Sequence, residues 1–172
     1  VTVNGGKTWS SWYNQPTGQF YHLAADDRFP YRIYSGQQDN GTVSITSRSD
    51  YGSITFRDWH PVGADERDYD IPDPQDPDVV YAGEYGGQLT RHDTRARQSQ
   101  VVGIYPFNPS GHDPKDLKYR FQWTAPILTS QHDKGVVYHA ANVLFRTDNG
   151  GRTWKAVSPD LTRNDKSKQN WS

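Results

Sequence analysis

Hydrophobic residues in this chain recur at alternate positions over short runs, and helical spacing never persists beyond about two turns. Three runs share one outline, a turn rich in Asp with Pro or Gly followed by an alternating segment that ends on Tyr and a small residue. They cover residues 26–36, 73–83 and 131–140, and their tyrosines Tyr34, Tyr81 and Tyr138 stand 47 and 57 residues apart. Each is followed by a second alternating segment, at 41–47, 87–92 and 142–146. A further segment is anchored at Trp59 in the first unit and at Trp154 in the third, while residues 99–102 fill that place in the middle unit without a Trp. β-Branched and aromatic residues dominate these runs, as a half-buried pleated surface requires. The best helical candidate, 114–121, reads equally well as a loop. The pattern predicts an all-β chain built from units of roughly 40–55 residues with four short strands each.

A near-verbatim motif reinforces the repeat. Thr2-Val3-Asn4-Gly5-Gly6-Lys7-Thr8-Trp9 returns 145 residues later as Thr147-Asp148-Asn149-Gly150-Gly151-Arg152-Thr153-Trp154. Asn-Gly is a strong hairpin-turn signal because both residues tolerate positive φ. The Asn side chain can also fold back onto backbone N–H groups in an Asx-turn. The Thr and Trp that follow suit the start of the next strand.

This motif resembles the Asp box, Ser/Thr-x-Asp-x-Gly-x-Thr-Trp, of the BNR-type β-propellers, with Asn4 and Asn149 where that family usually carries Asp. The acceptor oxygen is kept and the charge is not. The resemblance implies that Asn4, Gly6, Thr8, Trp9, Asn149, Gly151, Thr153 and Trp154 staple hairpins and take no part in chemistry. Residues 19–22, 35–42, 73–83, 115–123 and 158–165 extend the likeness to bacterial sortilin/Vps10-like proteins, large propellers often labelled glycosyl hydrolases. On that resemblance the chain is expected to be a segment of one propeller domain in an exported, extracytoplasmic protein. The end of one blade would lie at 1–13, three blades at 14–62, 63–103 and 104–158, and the lead into another at 159–172. Its first partners would then be the remaining blades. Fold does not fix function, since propellers host binding, scaffolding and hydrolysis alike.

Composition narrows the possibilities. Fifteen glycines and eleven prolines interrupt the chain too often for long helices, and eleven tyrosines with six tryptophans supply flat side chains to fit between twisted sheets. A mean hydropathy of −0.97 is low, but an aromatic content of 13% is unlike a disordered chain. The formal charge of −1 gives no basic footprint for nucleic acid, and no apolar run approaches a membrane span. The absence of cysteine removes disulfides, thiolate nucleophiles and Cys-based zinc sites. Six histidines are scattered without metal-ligand spacing, so no metal site and no cofactor are expected.

Candidate chemistry concentrates in Asp65-Glu66-Arg67-Asp68-Tyr69-Asp70. Alternate strand residues share a face, so Asp68 and Asp70 would point the same way on an innermost strand. Such a pair could act as acid and base in glycoside hydrolysis, or hold a hard cation such as calcium. The alternative is that Arg67 and nearby arginines neutralise them on a solvated edge. Gln37, Gln38 and Asp39 follow Ser35-Gly36, small residues that let the chain turn tightly and bring polar groups near a ligand. Arg120 joins them as a candidate binding residue. Arg28 and Arg32 only superficially suggest a sialidase, because Tyr34 stands where the Arg-Ile-Pro motif has Pro. Two functions follow: a module that binds a peptide, protein or glycan, and a polysaccharide hydrolase using the Asp68–Asp70 pair.

Overall fold

The computed structural model describes residues 1–11, 17–64, 66 and 68–170, and it is all-β. Three four-stranded antiparallel sheets account for the architecture, and helix among the described residues is confined to single 3-10 turns. The first sheet runs β1 (Ala24–Ala25), β2 (Arg32–Gln37), β3 (Gly41–Thr46) and β4 (Trp59–His60). The second runs β5 (Asp70–Asp73), β6 (Asp76–Glu84), β7 (Gln88–Asp93) and β8 (Gln98–Val101). The third runs β9 (Ile127–Thr129), β10 (Val137–Ala140), β11 (Leu144–Thr147) and β12 (Lys155–Ala156). In each sheet, strands adjacent in the chain are adjacent in space. The expected helical stretch at 114–121 shrinks to one 3-10 turn, Pro114–Asp116, because Pro114 opens it and Leu117 is already extended.

Turn chemistry sets the registers. Asp39 at φ 57° and Gly41 at φ 73° close the β2–β3 hairpin, and Gly86 and Gly87 at φ 74° and 79° close β6–β7. The three repeated tyrosines sit in cross-strand pairs, Tyr34 with Ser44, Tyr81 with Arg91 and Tyr138 with Arg146.

Alternation along β6 joins the sheets. Val80 packs with Tyr34 and Val62 on the side of the first sheet, whereas Val79 and Tyr81 pack with Leu89, Val102, Ile127 and Val137 on the side of the third. Each fully buried side chain of this size contributes about 1.5–3 kcal/mol. The short first strands are neighbours, β1 beside β5 and β5 beside β9. Arg28 clips the first two sheets together, donating to Asp26 at 2.6 Å, to the Tyr34 hydroxyl at 2.6 Å and to Asp78 at 2.9 Å. The opposite face of the first sheet, with Ile45 and Trp59, and the Leu128–Tyr138 face of the third have no further sheet packed on them among the described residues.

The tryptophans divide. Trp59 opens β4 and Trp154 lies directly before β12, as the repeat predicts. Trp9 belongs to no strand and is 71% exposed. The hairpin closes there through Ser10 N–H to the Val1 carbonyl, at 2.8 Å, and the Val1 amino group to the Ser10 hydroxyl, at 2.7 Å. Trp154 instead reaches across to the second sheet and donates its indole N–H to the Val102 carbonyl at 2.7 Å. No helix among the described residues is long and apolar enough to cross a membrane.

Candidate functional site

One end of the three sheets gathers polar and aromatic groups. It is formed by the β2–β3 and β6–β7 turns and by the segments that lead into β1, β5 and β9. The indole N–H of Trp123 donates to the Tyr21 oxygen at 3.4 Å, and the Tyr21 hydroxyl donates to Gln38 Oε1. Gln38 Nε2 donates to Asp39 Oδ1 at 2.7 Å, and the Asp39 backbone N–H donates to Glu66 Oε2. Every bond in the row points the same way, the arrangement in which neighbouring hydrogen bonds polarise one another. Tyr85 meets Trp123 edge-on at 5.3 Å, and His22 stacks on Tyr69 at 3.8 Å. Trp123 keeps 47% of its surface exposed. Of the expected binding residues, Gln38 and Asp39 are in this row. Gln37 is not: it is buried at the end of β2 and turned to an apolar hollow with Phe20 and Trp59. Tyr21, Tyr85 and Trp123 were not among the expected site residues, although 19–22 and 115–123 stood out in the sequence for their likeness to sortilin/Vps10-like proteins.

Asp68 and Asp70 lie beneath this end, each only 1% exposed. Asp70 opens β5, whereas Asp68 precedes the strand, so strict alternation does not govern the pair. Asp68 Oδ1 accepts the Tyr69 N–H at 2.9 Å, and Oδ2 accepts the Ala125 N–H at 3.3 Å. It can approach so closely because residue 83 is glycine: a Cβ on Gly83 would stand 2.5 Å from Asp68 Oδ2. Neither oxygen of Asp70 has a hydrogen-bond partner among the described residues. Burial pushes Asp68 up to about 8, its two backbone bonds only partly resisting. Burial pushes Asp70 well above the carboxylate range, and the Asp68 charge adds to the effect. Burial therefore biases both carboxyls toward the protonated form, Asp68 to about pH 8. Asp65 and Arg67, which would flank or neutralise the pair, lie outside the described residues.

Arg120 is held elsewhere. Its guanidinium donates to Asp160 at 3.1 Å and to the Thr162 hydroxyl at 2.7 Å, and its backbone N–H donates to Asn142 Oδ1 at 2.9 Å. Hydrogen bonds from the Thr162 hydroxyl and backbone and from Asn142 hold Asp160 well below the usual carboxylate range. Arg120 thus locks the β10–β11 turn to the segment after β12.

The two Asn boxes have the same internal bonding. Asn4 Oδ1 accepts the Thr8 N–H at 3.0 Å, and Asn149 Oδ1 accepts the Thr153 N–H at 3.0 Å. The amide nitrogens donate to the Thr8 and Thr153 hydroxyls, both at 2.8 Å. Gly6 and Gly151 donate to the Thr2 and Thr147 hydroxyls, both at 3.0 Å, with φ of 85° and 88°. All of this bonding is internal to the turns.

Among the described residues, no group of three or more His, Asp or Glu side chains is placed to hold a metal ion. No protein-family model matches the chain, and no curated protein matches it.

Proposed function

We propose that the three sheets are successive blades of a BNR-type β-propeller of the sortilin/Vps10-like kind, and that this segment is part of an exported binding module for a glycan. The row from Trp123 through Tyr21 and Gln38 to Asp39 supports this reading. Exposed aromatic faces that stack on sugar C–H groups, beside oriented amides and carboxylates, are what a polar ring ligand needs. The two open sheet faces, at Ile45–Trp59 and Leu128–Tyr138, suit cover by further blades, because a blade needs neighbours on both sides. Calorimetry of the protein against plant and bacterial oligosaccharides tests the reading. A ligand should be found whose affinity drops at least about tenfold in Trp123→Ala and in Gln38→Ala and is unchanged in Asn149→Ala. Wild-type affinity in both of the first two variants would remove the platform from consideration.

A second reading, polysaccharide hydrolysis, draws on the burial of Asp68 and Asp70, which biases both toward the protonated form that a general acid must hold. Their burial counts against it, since the substrate oxygen must reach the acid. If hydrolysis were found and Asp68→Asn/Asp70→Asn left its rate intact, this pair would not be the source.

A further inference from the structure

Val62 occupies in the first sheet the place that Val102 occupies in the second. Each lies just past the outermost strand and is buried in the core beneath it. Each is also tied to the matching residue of the third strand, Val62 N–H to the Thr42 hydroxyl at 3.1 Å and Val102 N–H to the Leu89 carbonyl at 2.8 Å. Between the second and third sheets the space above Val102 is filled by Trp154 and by the box, with Gly151 so close that a Cβ would stand 2.7 Å from Val102. Between the first and second sheets no tryptophan crosses among the described residues, because the β7–β8 turn reads Asp93-Thr94-Arg95-Ala96-Arg97 in place of a box. What remains is a pocket of about 660 Å³, within the range of ligand sites. Pro61 and Val62 form its apolar part, and Arg28, Arg32, Arg97, His60 and His92 line it.

The charges do not cancel. The lining contains one carboxylate, Asp78, already engaged by Arg28 at 2.9 Å and by Arg95 at 3.9 Å. Arg28 is likewise spent on Asp26 and Asp78. The Arg32 guanidinium donates to the hydroxyl and carbonyl of Ser44, at 2.6 and 3.3 Å. Among the described residues neither the Arg32 nor the Arg97 guanidinium has a carboxylate partner. The corresponding hollow between the second and third sheets contains Asp73 and Asp148 against Arg91, Lys134 and Arg152, so there the signs are mixed. The field in the first pocket registers on His60: burial, then Arg32 and Arg97, lowers its pKa, and Asp58 opposes them. His92 is lowered by burial, against Asp93.

We propose that this pocket binds a tetrahedral oxyanion, a sulfate or phosphate group, free or attached to a sugar-sized molecule that rests on Pro61. The Arg32 and Arg97 guanidiniums supply the charge-assisted donors, and His60 and His92 add charge when an anion is present. The site is separate from the aromatic end and does not depend on it.

Imidazole NMR shifts of His60 and His92 should be followed while sodium sulfate, inorganic phosphate, or a sulfated monosaccharide with its unsulfated parent is added at constant ionic strength. Saturable shifts and a higher His60 pKa in the bound state are expected. Affinity should fall about tenfold or more in Arg32→Gln and in Arg97→Gln, and not in Arg48→Gln. Arg97 is exposed and bonds no other described side chain, so its variant tests the site even if Arg32→Gln perturbs folding. Equal binding of free sulfate and sulfated sugar assigns the free ion, whereas tighter binding of the sugar assigns the conjugate. Non-saturating shifts, or shifts unchanged in Arg97→Gln, would overturn the proposal.

Discussion

The Trp154 indole N–H and the Val102 carbonyl meet at 2.7 Å across the boundary between the second and third sheets. The bond adds direction to a contact already made by the Val79–Tyr81–Leu89 cluster, against which Trp154 packs. Trp154→Ala removes a large packed side chain and should cost about 3–5 kcal/mol. Trp154→Phe keeps most of the apolar area and should cost about 1–3 kcal/mol, the penalty of an orphaned buried carbonyl. Trp9→Ala, at an exposed ring, should stay within about 0.5 kcal/mol. Urea unfolding of the three variants separates them, and equal losses at Trp9 and Trp154 would contradict the structure.

Asn149→Ala should lower stability by on the order of 1 kcal/mol through the lost turn bonds. Its effect on any ligand affinity should be nil, because the bonding is internal to the turn. A loss of binding at unchanged unfolding midpoint would show that the box is not merely structural.

The buried carboxyls predict an unusual pH dependence. In the unfolded chain both titrate near about 4. In the folded chain Asp68 is pushed up to about 8 and Asp70 well above the carboxylate range. Between those limits the folded state holds more protons, so the stability they contribute is full below about pH 4 and is lost as pH rises through the folded values. His139, buried between Gly87 and Pro126 with its pKa lowered by burial, works in the opposite direction below its unfolded value of about 6.5. The carboxyl effect is therefore cleanest from about pH 6.5 to 8, where each titrating proton costs about 1.4 kcal/mol per pH unit. Denaturation midpoints should fall over that range in the wild type and fall less in Asp68→Asn or Asp70→Asn. Parallel curves for all three would place the carboxyls in a more polar setting than their 1% exposure implies.

Glycine substitutions test how closely the sheets approach. A Cβ at Gly87 would stand 2.2 Å from the Phe121 ring, and the backbone there has φ 79°. Gly87→Ala should therefore destabilise by about 1–3 kcal/mol through overpacking, with backbone strain in addition. Gly52→Ala, at φ 80° with nothing within 4 Å, carries the strain alone. Comparing the two by thermal unfolding separates strain from collision.

Strands and turns were legible in the sequence because their signals are local. Alternation around Tyr34, Tyr81 and Tyr138 and the Asn-Gly turns placed the second, third and outermost strands within a few residues. The candidate site was legible only in part. Gln38 and Asp39 are in a turn whose residue types announce it. Their partners Tyr21 and Trp123 lie 102 residues apart, and only the packing of sheets brings them together. Asp68 and Asp70 were found as a cluster, but their burial was not, since it depends on the missing side chain of Gly83, on a different strand. The arginine pocket was invisible for a related reason. It arises from a tryptophan that the middle unit lacks, and an absence becomes a cavity only once neighbouring sheets frame it.

The boxes have one more consequence. An aspartate in place of Asn149 would be a group with a charge to lose, and the hairpin's shape would then follow the acidity of the surroundings. The Asn149 side chain is an amide that donates to the Thr153 hydroxyl at 2.8 Å, and it neither gains nor gives up a proton across the range in which proteins live. The Asn side chains of the two hairpins are thus indifferent to pH, whereas the buried acids Asp68 and Asp70 respond to it. A change of medium would be felt at the acids beneath the aromatic end while the Asn149 turn kept its bonds.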